Sequence, residues 1–477
     1  MARRALPPVT AAVCGAGVRG YYVYGRYARR HPDRLRFVTV AEPSETRRHR
    51  FEKAYGIPEE LAFRGWEELF SRERLCQAAL VCTPDALHYA PARRALDLGY
   101  HLLLEKPISP VLEECQELAG YPVAPGQVVL IAHVLRYSPF WKKLKETVDS
   151  GRIGQLIHID LSENVAFWHF GHSYVRGNYG VSARSSPLIL AKACHDLDLI
   201  YWILGQKADS VESIGSLMHF RPENAPAGAP KRCTDGCPVE AECIWYAPRL
   251  YIPGEPVLRT VLHARSPLIR AGVGAAIYTP WLIRALSLAI RPMEMLVNWK
   301  GFPSMAISED LSVEGKKRAL REGPYGRCIY RCGNDVVDHQ VALFRFPSGT
   351  TATLTVHGFS EFEGRELRLF GTKGVLRGVF RIQEQELRLT DHRLLHTELL
   401  FRHGVSPGGH GGGDWGMFDT FTAVLRGKRS YEEANITSIA DAMESHFMAF
   451  AAERARLSGG VTQLEPFRRK PFDTRLG

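Results

Sequence analysis

The chain has 477 residues, 45% of them hydrophobic and 23% charged, the balance of an ordinary globular protein rather than a disordered or fibrous one. Lysine and arginine outnumber aspartate and glutamate by 61 to 51, a formal net charge of +10. The arginines are scattered rather than gathered into a block, which argues against nucleic acid as a partner.

The opening "MARRALPPVTAAVCGAG" runs almost at once into a strand pattern and leaves no room for a signal peptide's apolar core. A cytoplasmic location with reduced thiols is therefore expected. Strand-like runs follow at "VTAAVCG", "LRFVTVAEP", "QAALVCTP", "HLLLEKP" and "QVVLIAHVLRY", with helical patterns such as "APARRALDLG" and "VLEECQELAG" between them. Regular βαβ alternation predicts an α/β fold whose first domain, residues 1–135, is a doubly wound parallel sheet of the Rossmann type.

Residues 136–477 read as a second, α+β domain with a large open, mainly antiparallel sheet. "IGQLIHIDLSENV" is a strand, and Ser186-Pro187 is the start signal of a helix carrying "AKACHDLD". A cysteine-containing insertion spans about 225–330. Its apolar stretch 267–297 is interrupted by Arg270, Pro280, Arg284, Arg291 and Pro292, so helices rather than a membrane span are expected there. Alternating runs "DHQVALFRF", "TTATLTVHG", "RELRLFGT", "GVLRGVFRI" and "LRLTDH" supply antiparallel strands. Helices near 415–425 and 431–457 close the chain.

Gly15-Ala16-Gly17-Val18-Arg19-Gly20 lies between the first strand and a helix. There its glycines permit a tight turn and close approach of backbone to a pyrophosphate at the helix N-terminus. Glu42, at the end of the second strand, suits the two adenine-ribose hydroxyls and repels a 2′-phosphate. NAD is favoured, while Ser44, Arg47 and Arg48 leave NADP open. Thr83, Pro84 and His88 follow the strand "AALVC", and Glu105 and Lys106 follow "HLLL", so both groups are expected to line the cofactor cleft.

The set "GAGVRG", "VCTPDALH", "EKPIS", "RYSPFW" with "GRIG", and "CHDLD", in this order, resembles the Gfo/Idh/MocA oxidoreductase superfamily, and the resemblance extends to the C-terminal "SYEEANITSIADAMESHF". It implies a Rossmann domain binding NAD(P), and a second domain whose sheet supplies the substrate face and an oligomer interface. It also implies that Lys106 and His195 are the catalytic lysine and histidine.

On a continuous helix Lys192, His195, Asp196 and Leu199 share one face, a rigid polar group at a pocket edge. Hydride exchange at a carbinol carbon needs a base for the hydroxyl proton, which suits histidine. A cationic Lys106 would stabilise the reacting oxygen. Lys192 either does the same or lowers the basicity of His195, and Asp196 or Asp198 either orients the ring or pins the helix. Many sugar and cyclitol dehydrogenases of the superfamily carry an aspartate four residues before the histidine; here Ala191 stands there. Besides a sugar or cyclitol oxidoreductase, two readings therefore stay open: an NAD-dependent glycosidase working by transient oxidation and elimination, and a non-catalytic dinucleotide-binding regulator.

In the loop "NVAFWHFGHSYVRGN", Trp168, His169, His172, Arg176 and Asn178 are candidate contacts for a carbohydrate-like substrate, with Asp196 beside them. His410 and Asp414 of "HGGGDWG" are expected to close the pocket. Cys233, Cys237 and Cys243, with Cys332 or Cys328 as a fourth ligand, are candidates for a structural zinc site, although their spacing matches thiolate sites only loosely.

Overall fold

The computed structural model describes residues 6–262, 267–279, 281, 283 and 294–469. Six parallel strands form the first sheet: β1 (Val9–Cys14), β2 (Leu35–Ala41), β3 (Ala62–Phe63), β4 (Ala78–Val81), β5 (His101–Leu104) and β6 (Val129–Ile131), in the spatial order β3-β2-β1-β4-β5-β6. The order reverses between β1 and β4, and open α/β sheets bind their ligands outside the strand ends at such a crevice. Strands buried on both faces read as continuous apolar runs, as "AALV" and "HLLL" do. The two-residue β3 has no such run and is not foreseen by the sequence.

The second sheet has nine strands: β7 (Leu156–Ala166), β8 (Ser210–Ser216), β9 (His339–Arg345), β10 (Thr351–Ser360), β11 (Gly364–Gly371), β12 (Gly374–Arg381), β13 (Gln385–Asp391), β14 (Thr397–His403) and β15 (Thr462–Gln463). Their order is β14-β13-β12-β11-β7-β10-β9-β8-β15. Every pairing is antiparallel except β7 with β10. The strands alternate buried and exposed positions, so one face is a core face. Strands β8, β14 and β15 carry weaker alternation and go beyond the sequence expectation.

The insertion lies between β8 and β9. Its small core joins Trp168, Cys233, Ala247, Leu250, Tyr251 and Leu320. The fully buried Lys316 donates to the carbonyls of Tyr251, Ile252 and Trp299 at 3.0, 3.0 and 2.9 Å. Three carbonyls replace the ammonium's water. Of the apolar stretch 267–297, helices Pro267–Tyr278 and Glu294–Val297 are described, and most of the segment between them lies outside the described residues. No described helix is long and apolar enough to cross a membrane.

The closing helical region is broken at Asn435, whose φ of 48° is left-handed. A capping box of Ser438 and Asp441 then starts the Ile439–Ser458 helix. That helix belongs to both halves: Ile439, Ala442 and Met443 pack on the first sheet, and Met448, Ala449, Ala452 and Ala455 on the second. Its alanines let the neighbouring elements approach closely, and burial of both ends fixes one half against the other.

Candidate functional site

The turn after β1 has the geometry its glycines suggest. Gly15 has φ 95°, and a Cβ there would lie 2.7 Å from the Cys82 carbonyl oxygen; a Cβ on Gly20 would lie 2.1 Å from the Gly15 oxygen. Gly17 faces open space, the place where a pyrophosphate would approach the backbone. Val18 opens a wide π-type turn over Val18–Tyr24 before the α-helix Gly25–Arg30.

Glu42 is buried at this mouth, accepting from the backbone N–H of Ala16 at 2.7 Å and of Ser44 at 3.0 Å. The glycine turn and this carboxylate together fit a dinucleotide. Arg19 reaches Glu105 at 2.5 Å and Asp414 at 2.9 Å, and the Tyr24 hydroxyl also donates to Glu105. These three contacts lock the turn Val18–Tyr24 to the end of β5 and to the Gly413–Leu425 helix.

Thr83 donates to the Leu87 carbonyl at 2.8 Å, and Pro84 precedes the short turn Asp85–Leu87. The His88 ring, 1% exposed, lies between the carbonyls of Pro107 and Thr83 at 2.6 and 2.8 Å. Expected at the cofactor, His88 instead ties together the loops after β4 and β5.

The segment Ala191–Asp198 departs from a continuous helix. Helix Leu188–Ala191 stops, Lys192 and Ala193 form a break, and Cys194–Leu204 starts anew. The break leaves the Ala191 carbonyl free to accept from Lys106 Nζ at 2.8 Å. Lys106 and His195 are thus brought to one junction between the domains.

His195 is 6% exposed, and its Nδ1 has no hydrogen-bond partner among the described residues. Burial, and then the charge of Lys106 and the neighbouring His133 and His410, hold the imidazole well below its ordinary value. The ring is therefore held in its neutral form. The His410 ring lies 5.8 Å from it, centroid to centroid, and His410 Nδ1 meets Asp414 Oδ2 at 2.9 Å. Asp414, although burial raises it, is held down to about 2 by Arg19 and His410.

Lys192, read as a candidate catalytic cation, is a counter-ion instead. Its Nζ lies 3.0 Å from Glu163 and 2.8 Å from Glu363, and these carboxylates keep it above its ordinary value against the opposing effect of burial. Burial raises Glu163, whereas His169 and Lys192 overcome burial at Glu363 and lower it.

Asp196, expected at the substrate, is fully buried and held by Arg365 at 2.6 and 3.1 Å. Asp198 takes Arg136 at 2.7 and 2.6 Å. Both aspartates pin the helix, and neither bonds the His195 ring.

The aromatic loop divides. Trp168 stacks on His169 with centroids 5.7 Å apart, His169 Nδ1 is 3.0 Å from Glu363, and the buried indole N–H of Trp168 has no partner among the described residues. Asn178 is exposed. His172 and Arg176, expected at the substrate, turn into the insertion. His172 Nδ1 meets the Tyr251 hydroxyl at 3.0 Å and its ring stacks on Tyr325. Arg176 donates to the carbonyls of Arg327 and Trp245 at 2.8 Å each.

The cysteines of the insertion gather near Arg176, whose Nη2 is 3.6 Å from Cys233 Sγ. Cys233, Cys237, Cys243, Cys328 and Cys332 are all free thiols. Among the described residues no three Cys, His, Asp or Glu side chains are arranged to hold a metal ion. The expected zinc site is therefore not formed. Burial raises Cys243 and Cys328, and pushes Cys332 up to about 11, so these thiols stay protonated. Cys332 Sγ is turned to the Cys328 carbonyl at 3.2 Å.

Residues 9–133 match the family model "Oxidoreductase family, NAD-binding Rossmann fold", and residues 141–261 match the C-terminal domain model of the same GFO/IDH/MocA family. This chain is a Gfo/Idh/MocA oxidoreductase. YteT of Bacillus subtilis (strain 168), named as an oxidoreductase, is 23% identical to this family member over 350 residues, 70% of this chain and 69% of YteT. Inositol 2-dehydrogenase 2 of Saccharopolyspora erythraea is 28% identical over 132 residues, 27% of this chain and 35% of that protein. The aldose-aldose oxidoreductase from Caulobacter crescentus, solved with glycerol, superposes with a TM-score of 0.60 at 14% identity, covering 96% of this chain and 99% of the other.

In this Gfo/Idh/MocA protein burial lowers seven of the described histidines, the part-exposed His101, His219 and His357 and the buried His133, His172, His195 and His446, the last to about 3. The unfolded chain binds protons on such rings below about pH 6.5, while the folded chain resists them. Stability is therefore full above that pH and is lost as pH falls through it. Thermal unfolding should show the midpoint dropping between about pH 6.5 and 5, because the raised Glu163 works in the opposite direction but is one group against several rings; a midpoint flat over that range contradicts the neutral, buried rings.

Proposed function

We propose that the protein oxidises a carbinol carbon of a sugar, cyclitol or related derivative with NAD, or reduces the corresponding carbonyl. The observation that carries this reading is the convergence of Lys106 and a neutral, buried His195 at the helix break beside Ala191. The relatives named for inositol and aldose chemistry support the substrate class.

In the oxidative direction His195 accepts the hydroxyl proton as the carbon–oxygen double bond forms. The cation of Lys106, held in place by the Ala191 carbonyl, stabilises charge on the oxygen. Bound NAD supplies the acceptor for the hydride. Trp168, whose indole N–H has no partner among the described residues, His169 and Asn178 are the side chains we assign to substrate recognition. Glu163 and Glu363 keep the charge of Lys192 balanced, so that Lys106 remains the cation available to the reacting oxygen.

A panel of sugars, cyclitols and aryl glycosides, followed by nicotinamide absorbance and by aglycone release, tests the proposal. Net NADH formation with a free polyol supports it. Aglycone release without net NADH would replace it with transient oxidation and elimination, and binding of nucleotide with no turnover of any panel member would favour a regulator. We also assign a homo-oligomer contact to the outer face of the second sheet, where Ile214, Leu343 and Phe359 are exposed by 73%, 43% and 43%. Monomeric sedimentation would refute that contact.

A further inference from the structure

We propose that Glu309, carried by the insertion, is a second determinant of nucleotide choice and acts by excluding the 2′-phosphate of NADP(H). The inference rests on the reading of the first domain as a pyridine-nucleotide site with Glu42 at the adenine ribose.

The segment after β2 holds the residue types that grip a 2′-phosphate: a hydroxyl, Ser44, and the guanidinium groups of Arg47, Arg48 and Arg50. Each is already engaged. Arg47 Nε donates to Glu309 Oε1 at 2.7 Å, Arg50 Nη1 lies 3.9 Å from Glu309 Oε2, and the Ser44 hydroxyl is 3.5 Å from Glu309 Oε1. Arg48 Nη1 is turned inward to the carbonyls of Glu42 and Pro43 at 2.9 and 3.4 Å.

Ser44 joins the two carboxylates, its backbone N–H donating to Glu42 at 3.0 Å and its hydroxyl meeting Glu309. A phosphate monoester, carrying a charge of about −1.5 to −2, would have to displace Glu309 from Arg47 and then sit between two carboxylates. The ribose hydroxyls of NAD face no such penalty. This is selection by repulsion rather than by added attraction. The partner carboxylate comes from 262 residues further along the chain, so the Rossmann domain alone does not show it.

The Arg47 side chain is 42% exposed and that of Glu309 30%, so solvent and salt weaken the effect without abolishing it. Glu309→Gln removes the charge and keeps the shape. Measured by nucleotide fluorescence at low salt, the ratio of NADPH to NADH dissociation constants should fall by about fivefold in this variant. That gain should disappear in the Glu309→Gln/Arg47→Ala double variant, and should shrink at high salt.

A ratio unchanged in Glu309→Gln overturns the proposal, as does native protein that binds NADPH as tightly as NADH. An equal loss of both nucleotides also overturns it, because Glu309 would then be a strap between insertion and first domain. Failure of the native chain to bind either nucleotide would overturn the nucleotide reading itself, a result distinct from a failure of Glu309 alone.

Discussion

Replacing His195 by alanine is expected to lower kcat/KM by about 10²–10⁴-fold, the usual contribution of a positioned acid–base, with NADH affinity retained. The ring is 6% exposed, neutral, without a partner at Nδ1 among the described residues, and close to Lys106. Among the described residues no carboxylate bonds it, since Asp196 and Asp198 are taken by Arg365 and Arg136. Its basicity is therefore set by burial and by neighbouring positive charge. Both keep it deprotonated, so the limb of the pH–rate profile due to His195 should lie below about pH 6.5 in the oxidative direction. A packed core histidine would behave differently: its loss would lower stability and leave kcat/KM per folded molecule unchanged. Steady-state kinetics on a substrate found in the panel, with the folded fraction measured by circular dichroism, separates the two results.

The parallel sheet and its crevice could be read from the sequence because local patterns suffice there. Buried strands are continuous apolar runs, and "GAGVRG" requires a turn that only glycines make without clash, as Gly15 and Gly20 show. The roles of Lys192 and Asp196 were not legible. Spacing puts them on one face of a helix, but the helix breaks at 192–193, and what each side chain meets is decided by long-range pairing: Glu363 lies 171 residues after Lys192, and Arg365 lies 169 after Asp196. The same holds for His172 and Arg176. Their types suit a carbohydrate, yet Tyr251 and the carbonyls of Trp245 and Arg327 claim them. Residue type announces what a group can bond; the fold decides which partner arrives first.

Arg365→Leu should then be the most damaging single change outside the reacting groups. The guanidinium lies 2.6 Å from Asp196 Oδ1 and 2.6 Å from Glu163 Oε2, and both acids have 0% exposure. Without it, Glu163 keeps only a share of Lys192, which also pairs with Glu363 beside His169, and Asp196 loses its ion-pair partner among the described residues. Breaking a buried pair by removing one partner costs about 3–5 kcal/mol, because the remaining charge cannot regain its water. Urea unfolding should show a loss of that order, read as a lower midpoint at unchanged slope. Removing the stranded acid as well, in Arg365→Leu/Asp196→Leu, should recover part of it, since the pair need not be more stable than an apolar isostere. A single variant within about 1 kcal/mol of the native protein would mean that water reaches these acids. The Cys194–Leu204 helix would then be held by its apolar side alone, and its Asp196 would be open to a substrate after all.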